Sequence, residues 1–142
     1  MIFLIIGQPG TGKTEMARRL VKHLGDDTVW IDGDDLREIF PNKDYSEQGR
    51  MKNIEKSFVI ARFMSKKDKN VVISMVCPYR APREDLKANN KVFEVFFKRN
   101  TFSGKEIFHV KDFEDPIENY KIFINDKGID ESFKKLLNLL GI

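Results

Sequence analysis

The first 24 residues, MIFLIIGQPGTGKTEMARRLVKHL, constrain the fold more than any other stretch of the chain. Met1 to Ile6 is an apolar run of strand length, and Gly7-Gln8-Pro9-Gly10-Thr11-Gly12-Lys13-Thr14 fits the pattern G-x-x-x-x-G-K-[ST]. A helical period begins at once: Met16, Ala17, Leu20, Val21 and Leu24 share one face, with Arg18, Arg19 and Lys22 largely off it. A strand that runs through a Gly-rich loop straight into a helix is the context in which this pattern forms a phosphate-binding P-loop.

Each residue type in the loop has a physical reason. Gly7 and Gly12 let the backbone turn tightly and approach phosphates with no Cβ in the way. The amides of Gly10 to Lys13 form a nest at a helix N-terminus, where anions are favoured. Lys13 can reach the β- and γ-phosphates, and the Thr14 hydroxyl can ligate Mg²⁺. At about 7% Gly usage, the pattern arises by chance in roughly one such chain in several hundred, so a turn with no ligand is the weaker reading. The expected nucleotide-binding stretch is Gly7, Gln8, Pro9, Gly10, Thr11, Gly12, Lys13, Thr14 and Glu15, with ATP as donor.

The 142 residues suffice for one domain with a real core. The net charge of +3 suits phosphate-bearing substrates without demanding nucleic acid. The one cysteine, Cys77, excludes an internal disulfide and fits a reducing cytoplasm. No apolar stretch approaches the length of a transmembrane helix, so no membrane partner is expected. The apolar run at residue 2 has no basic region before it and does not read as a signal peptide.

Downstream, Thr28-Val29-Trp30-Ile31 reads as a second strand, ending in Asp32-Gly33-Asp34-Asp35. A short helix follows from Asp35 to Phe40, and Asp34 or Asp35 is a good helix N-cap. A cap does not explain carboxylates at both 32 and 34 directly after a strand. Ligands of open α/β sheets bind beyond the C-terminal strand ends. Asp32 and Asp34 should therefore face the P-loop's phosphates, where they can help hold Mg²⁺ or take a proton from an attacking hydroxyl.

Ser46 opens a helix over 47–66 with Met51, Ile54, Phe58, Ala61 and Met64 as its buried stripe. Arg50 and Asn53 share one edge of it, and spacing alone reads that edge as solvated. Val71 to Val76 is a third strand, apolar enough to be buried on both faces. Cys77-Pro78-Tyr79-Arg80 follows on the ligand side, where Arg80 and Arg83 can neutralise a substrate anion. With no His near it in sequence, Cys77 reads as a packing residue. Ala81 to Lys87 is a short helix and Lys91 to Phe97 a fourth strand. Residues 98–116 carry Lys98, Arg99, Phe102, Lys105, Phe108, His109 and Lys111 and show no period. They suit either a lid or a plain surface loop. Tyr120 to Ile124 is a fifth strand, and Asp130 caps a last helix that buries Phe133, Leu136, Leu137 and Leu140. Strands alternating with helices predict a parallel, three-layer α/β sheet with right-handed crossovers.

ATPases of the motor and switch kinds end a strand in a Walker B acid. Here the third strand ends in Cys77, and the acid comes from the second strand at Asp32. That favours a small kinase. The blocks are then familiar. Asp32-Gly33-Asp34-Asp35-Leu36-Arg37 resembles the D-G-D-x-[LIV]-R segment of adenylylsulfate (APS) kinases. Tyr45 to Ile54 resembles their F-S-x-x-D-R-x-x-N-[IV], Ser74 to Arg83 their S-x-[IV]-S-P-[YFH]-R-x-x-R, and Phe93 to Phe97 their F-x-E-V-[FY] strand. The blocks keep family order and spacing from residue 1 to about 97.

The resemblance implies a three-layer P-loop kinase fold with a five-stranded parallel sheet, in one domain over 1–142 with a lid-like segment at 98–116. It implies that Arg37, Arg50 and Asn53 contact the acceptor's phosphosulfate and nucleotide. Tyr45 takes the place of an aromatic that stacks on the acceptor's adenine, and the backbone near Val76 lines its pocket. Asp32 and Asp34 stand at Mg²⁺ and the acceptor hydroxyl. Three departures stand out. The family's Asp before Arg50 is Gly49, and its Ser before the Pro is Cys77, so no seryl intermediate carries over. The family's long lid, K-x-x-A-R-x-G-x-[IL]-x-x-F-[TS]-G, is shortened to Lys98–Asp115, with Phe102-Ser103-Gly104 as its remnant.

The expectation is an ATP- and Mg²⁺-dependent kinase that phosphorylates a hydroxyl of a nucleotide-like small molecule, APS in the simplest case, within sulfate assimilation. Lys13, Asp32 and Asp34 carry the chemistry, Thr14 and Asp32 the metal. Asp34, Arg37, Tyr45, Arg50, Asn53, Val76 and Arg80 hold the acceptor. The alternative acceptor is a hydroxymethylated DNA base or a polynucleotide end, which a shortened lid would admit. The third reading is a nucleotide-binding ATPase module with no acceptor. A homodimer is compatible with all three.

Overall fold

Alternation along the first strand divides the core in two. Ile2, Leu4 and Ile6 point to one side and pack with Leu36, Ile54, Phe58, Ile73 and Leu86. Phe3 and Ile5 point to the other and pack with Met16, Leu20, Val95, Phe97, Phe123 and Leu136. A strand buried on both faces has no reason to alternate polar residues, which is why it reads as one apolar run. Ile2, Leu4 and Ile6 are fully buried, each contributing about 2 kcal/mol from removal of apolar surface.

The computed structural model describes residues 1–101 and 103–142. Phe102, part of the lid remnant read from the sequence, lies outside the described residues. The elements run β1 (Ile2–Ile6), α1 (Lys13–Leu24), β2 (Thr28–Asp32), α2 (Gly33–Ile39), α3 (Glu47–Lys66), β3 (Asn70–Met75), α4 (Arg80–Asn89), β4 (Val92–Lys98), β5 (Tyr120–Ile124) and α5 (Ile129–Leu140). The sheet order is β2-β3-β1-β4-β5, and every neighbouring pair is parallel. Helices α1 and α5 contribute to the Phe3 side of the core, and α2, α3 and α4 to the Ile2 side. The chain is thus the three-layer α/β fold expected of it, with β1 central. The loops after β1, β2 and β3 come together at the C-terminal ends of the strands.

Two local expectations need correction. Helix α2 begins at Gly33, so neither Asp34 nor Asp35 caps it. Asp32 holds the N-cap position, and its side chain makes no cap hydrogen bond. Its carboxylate is engaged elsewhere, as described below. Likewise Gly128 holds the N-cap position of α5. Asp130 sits in the first turn and accepts a hydrogen bond from Arg19 of α1 at 2.8 Å. Helix α3 matches expectation, with the Ser46 hydroxyl accepting from the Gly49 amide at 3.4 Å. Its buried face also takes in Asn53 and Ser57, while Met51 and Met64 are half-buried at its margins.

Between β4 and β5 the only helical structure among the described residues is one 3₁₀ turn, Glu106–Phe108. No helix among the described residues is long and apolar enough to cross a membrane.

Candidate active site

The loop between β1 and α1 is a left-handed nest. Gly10 and Gly12 have φ of +85° and +84°, values a side chain would strain. The Thr11 hydroxyl donates to the Gln8 carbonyl at 2.9 Å. Lys13 folds back over the loop, and its ammonium donates to the Gln8 carbonyl at 2.8 Å and the Thr11 hydroxyl at 3.4 Å. Burial lowers the Lys13 ammonium to about 8, against the pull of the Asp32 and Asp34 carboxylates, with Lys105 pushing the same way as burial. A triphosphate in the nest would replace those weak acceptors with anionic oxygens, the partner a buried ammonium lacks.

Asp32 ends β2 beside this nest and is buried. One of its oxygens accepts from the Thr14 hydroxyl at 3.2 Å and from the Ser74 hydroxyl at 2.7 Å. The Trp30 indole donates to the same Ser74 oxygen at 2.9 Å. The chain Trp30–Ser74–Asp32–Thr14 therefore fixes the carboxylate between two strands and the P-loop helix. Sequence reasoning had no role for Trp30, and read Ser74 only as part of a block. Asp34, two residues on, is exposed in the first turn of α2.

A cavity of about 940 Å³ joins these groups. Its P-loop side includes Gly10, Lys13, Thr14 and Glu15, with Asp32 and Asp34 beside them. Its far side includes Arg37, Tyr45, Arg50, Asn53 and Val76. Glu15 is ion-paired with Arg18 and, at 3.1 Å, with Arg19 of its own helix. Asn53 is buried and donates to the Gly33 carbonyl at 3.2 Å. The solvated edge that spacing suggested for Arg50 and Asn53 is thus a cavity wall. A helix wheel carries no information about the α2 backbone opposite. Arg37 stacks on Tyr45, its guanidinium carbon 4.1 Å from the ring centroid, and donates to the Asn42 and Asp44 carbonyls at 3.1 and 3.0 Å.

Two basic residues fall elsewhere. Arg80 is absent from the cavity wall and donates to the Asp115 carbonyl at 2.9 Å. Arg83 is fully buried and ion-paired with Glu94 at 3.1 Å. Neither stands where it would neutralise an anion in the cavity, because each is occupied in tying segments together. Cys77 is buried, and that burial pushes its thiol up to about 12, which fits a packing role.

The segment with no sequence period lies over the P-loop. Gln8 pairs with the Val110 backbone through both ends of its amide, Nε2 donating to the carbonyl and Oε1 accepting from N–H, each at 2.8 Å. Arg99 donates to the Gly10 carbonyl at 3.2 Å. Held this way, Lys105, Ile107, Phe108 and His109 join the cavity wall. Ile107 and Phe108 are 86% and 67% exposed and form an apolar rim to the cavity. Only Gln8, inside the motif, could have signalled this contact. Gln8→Ala removes both bonds, worth about 1 kcal/mol each. Trypsin cleavage after Lys105 or Lys111 in the native protein should then speed up on the order of tenfold; unchanged cleavage would show that Gln8 does not hold the segment.

Comparison with known proteins gives the family and the fold. The family described as adenylylsulphate kinase matches residues 1–113. A probable adenylyl-sulfate kinase of Archaeoglobus fulgidus is 32% identical over 102 residues, 69% of this chain and 66% of that protein. The adenylyl-sulfate kinase of Vibrio cholerae is 33% identical over 97 residues, 63% of this chain but 45% of its own. The chain thus spans less than two thirds of the length of these relatives. Among solved structures, the APS kinase CysC of Mycobacterium tuberculosis in complex with AMPPNP and APS superposes with a TM-score of 0.76. It covers 99% of this chain and 97% of that one at 19% identity, which speaks to the fold alone.

Proposed function

The chain belongs to the adenylylsulphate kinase family, and from that premise we propose that it transfers the γ-phosphoryl group of ATP to a hydroxyl of adenylylsulfate. One observation carries the reading. A phosphate cradle, a pair of carboxylates and an Arg37–Tyr45–Arg50–Asn53 wall line a single cavity. A cradle alone would serve any nucleotide hydrolase; the opposite wall gives an acceptor anion and a base somewhere to go. The product would be 3'-phosphoadenylylsulfate, and the setting proposed with it is sulfate assimilation in a reducing cytoplasm. Residues 1–142 act as one kinase domain, with 98–116 over the nucleotide.

The donor set suits Mg²⁺. The ion takes few protein ligands and several from phosphate and water, and the Thr14 hydroxyl and Asp32 carboxylate lie 3.2 Å apart beside the cradle. Among the described residues no group of three His, Cys, Asp or Glu could form an all-protein cage. When bound, the ion would neutralise charge on the phosphate oxygens. The protein's own residues supply position and charge. The nest amides and Lys13 hold the β- and γ-phosphates. Arg37 and Arg50 hold the acceptor's anionic group, and Tyr45 offers a ring to its base. Asp34, exposed and free of the hydrogen bonds that occupy Asp32, takes the acceptor hydroxyl's proton as the new O–P bond forms and ADP leaves. Catalysis is then mostly positioning and electrostatic.

ADP release with ATP and Mg²⁺ should depend on adenylylsulfate. Turnover only with hydroxymethylated DNA would replace the acceptor, and equal turnover without any acceptor would overturn the kinase reading. Asp34→Asn should lower kcat by about 10²–10⁴ with ATP binding intact. Full turnover in that variant would remove Asp34 from the chemistry.

A further inference from the structure

The wall between β3 and α4 is built on a residue in an unfavourable conformation. Cys77 has φ +46°, in the left-handed region that disfavours any residue with a Cβ. Nothing in its side chain compensates, since it makes no polar contact of its own. The compensation is a guanidinium. Arg83 Nη1 donates to the Cys77 carbonyl at 2.7 Å. Its Nη2 donates to the Glu114 carbonyl, and its Nε lies 3.1 Å from Glu94 Oε2. Arg83 and Glu94 are both fully buried. The tie is reinforced on either side: the Glu114 amide donates to the Pro78 carbonyl at 2.8 Å, and the Arg80 amide to the Glu114 carboxylate at 2.7 Å.

A buried ion pair adds little stability over an apolar pair of similar size. What it offers here is geometry. The planar fork donates to two carbonyls, with the Glu94 carboxylate in ion-pair contact beside its Nε rather than hydrogen-bonded to it, and so joins three stretches of chain distant in sequence: the Val76–Tyr79 corner, β4, and the far end of the segment that crosses the P-loop. That segment is already fixed at its middle by Gln8. We infer that Arg83, set against the Glu94 carboxylate that it shares with Lys87, is a positioning residue for the acceptor: it sets the backbone at Cys77 and hitches residues 113–115 to it, so that the Val76–Pro78 wall of the cavity and the wall made by Lys105 and Ile107–Val110 keep one relative placement. The inference rests on the acceptor assignment proposed above.

The protein carries its own reporter of this tie. Cys77 is the only cysteine of the chain and is 1% exposed. Three proteins are compared: wild type, Arg83→Lys, and the apolar replacement Arg83→Met, in which Glu94 keeps its 2.7 Å ion pair with Lys87. Each is followed by the rate of thiol modification with 5,5'-dithiobis(2-nitrobenzoate) in native buffer, and by KM for adenylylsulfate and for ATP. In the apolar variant, with native circular dichroism, thiol modification should accelerate about tenfold or more. KM for adenylylsulfate should rise about tenfold while KM for ATP stays within about twofold, the size of a coupling of 1–2 kcal/mol. Arg83→Lys keeps the charge beside Glu94 but cannot reach both carbonyls, so it should fall between the two. If the apolar variant does not fold, Arg83→Lys decides alone. A protected thiol together with an unchanged KM for adenylylsulfate in the folded variant overturns the inference. If wild type does not turn over adenylylsulfate, the proposed acceptor fails, and the thiol rates still decide whether Arg83 holds the corner.

Discussion

Lys13→Met should abolish turnover while leaving the nucleotide-free protein no less stable than wild type. The loss of activity follows from the ammonium's place in the nest. It is the one cationic side chain of the P-loop itself, and removing a group aimed at developing phosphate charge costs at least about 10²-fold in kcat. The stability argument is less obvious. Lys13 is 9% exposed, and burial lowers its pKa from 10.5 to about 8. At pH 7 the group is protonated both folded and unfolded, so the folded state bears the full cost, roughly 3 kcal/mol. Methionine removes that cost. It also removes the ammonium's two hydrogen bonds, although the Gln8 carbonyl and Thr11 hydroxyl keep their own bond to each other, a loss of about 1.5–3 kcal/mol for bonds to a charged group. The two nearly offset, so the thermal midpoint should not fall.

The pH dependence separates this account from simple tolerance. Between about 8 and 10.5 the unfolded chain binds a proton at this site that the folded chain has released. Stability contributed by the site therefore rises with pH across that window. Urea unfolding of metal- and nucleotide-free protein from pH 7 to 10.5 should show wild type gaining on Lys13→Met above pH 8. A constant difference would mean that the ammonium is not strained by burial. Under the proposed function the strain has a reading: a bound phosphate would supply the missing partner, so the free protein would be poised for an anion at the expense of its own stability.

What the chain disclosed in advance follows a simple division. Features whose determinants are contiguous were legible: the P-loop from its own spacing, and α3 from Ser46 and the stripe through Ile54, Phe58 and Ala61. The carboxylates after β2 were placed correctly beside the cradle, yet the cap was assigned to Asp34 or Asp35. The reason Asp32 leaves the cap unmade is Ser74, 42 residues away. Arg83 shows the same limit more sharply. After the third strand it reads as a residue to neutralise a substrate anion, whereas Glu94 of β4 and the Cys77 and Glu114 carbonyls hold it buried. Residues 105–110 have no period because they pack on a loop, through backbone that Gln8 reads. Asn53 is the intermediate case. Spacing called its edge solvated, whereas the family resemblance assigned it a site role, and it lies in the wall of the cavity.

Gly49→Asp would restore the residue that the resembled family carries before this arginine, and it should damage acceptor binding here. A Cβ at Gly49 would overlap the Asp44 carbonyl and come within 2.5 Å of the Asp44 Cβ and Cγ. The space is taken because the 42–46 loop folds down onto the first turn of α3. Asn42 donates to the Gly49 carbonyl at 2.9 Å, and Asp44 Oδ1 accepts from the Ser46 amide at 2.9 Å. That loop carries Tyr45 and anchors Arg37 through two carbonyls. In an ordinary helix, replacing Gly by alanine gains about 1 kcal/mol. Here the close backbone contact reverses the sign, because overpacking costs about 1–3 kcal/mol and the yielding element is the loop that carries Tyr45. Aspartate adds a like charge beside Asp44, so it should be worse than alanine. KM for adenylylsulfate should rise about 10-fold in Gly49→Ala and more in Gly49→Asp, at about 1.4 kcal/mol per tenfold. ATP affinity should hold, since the P-loop makes none of these bonds. An unchanged KM for adenylylsulfate in Gly49→Asp would mean that the loop yields freely, and that Arg37 and Tyr45 need no anchoring by it to meet the acceptor.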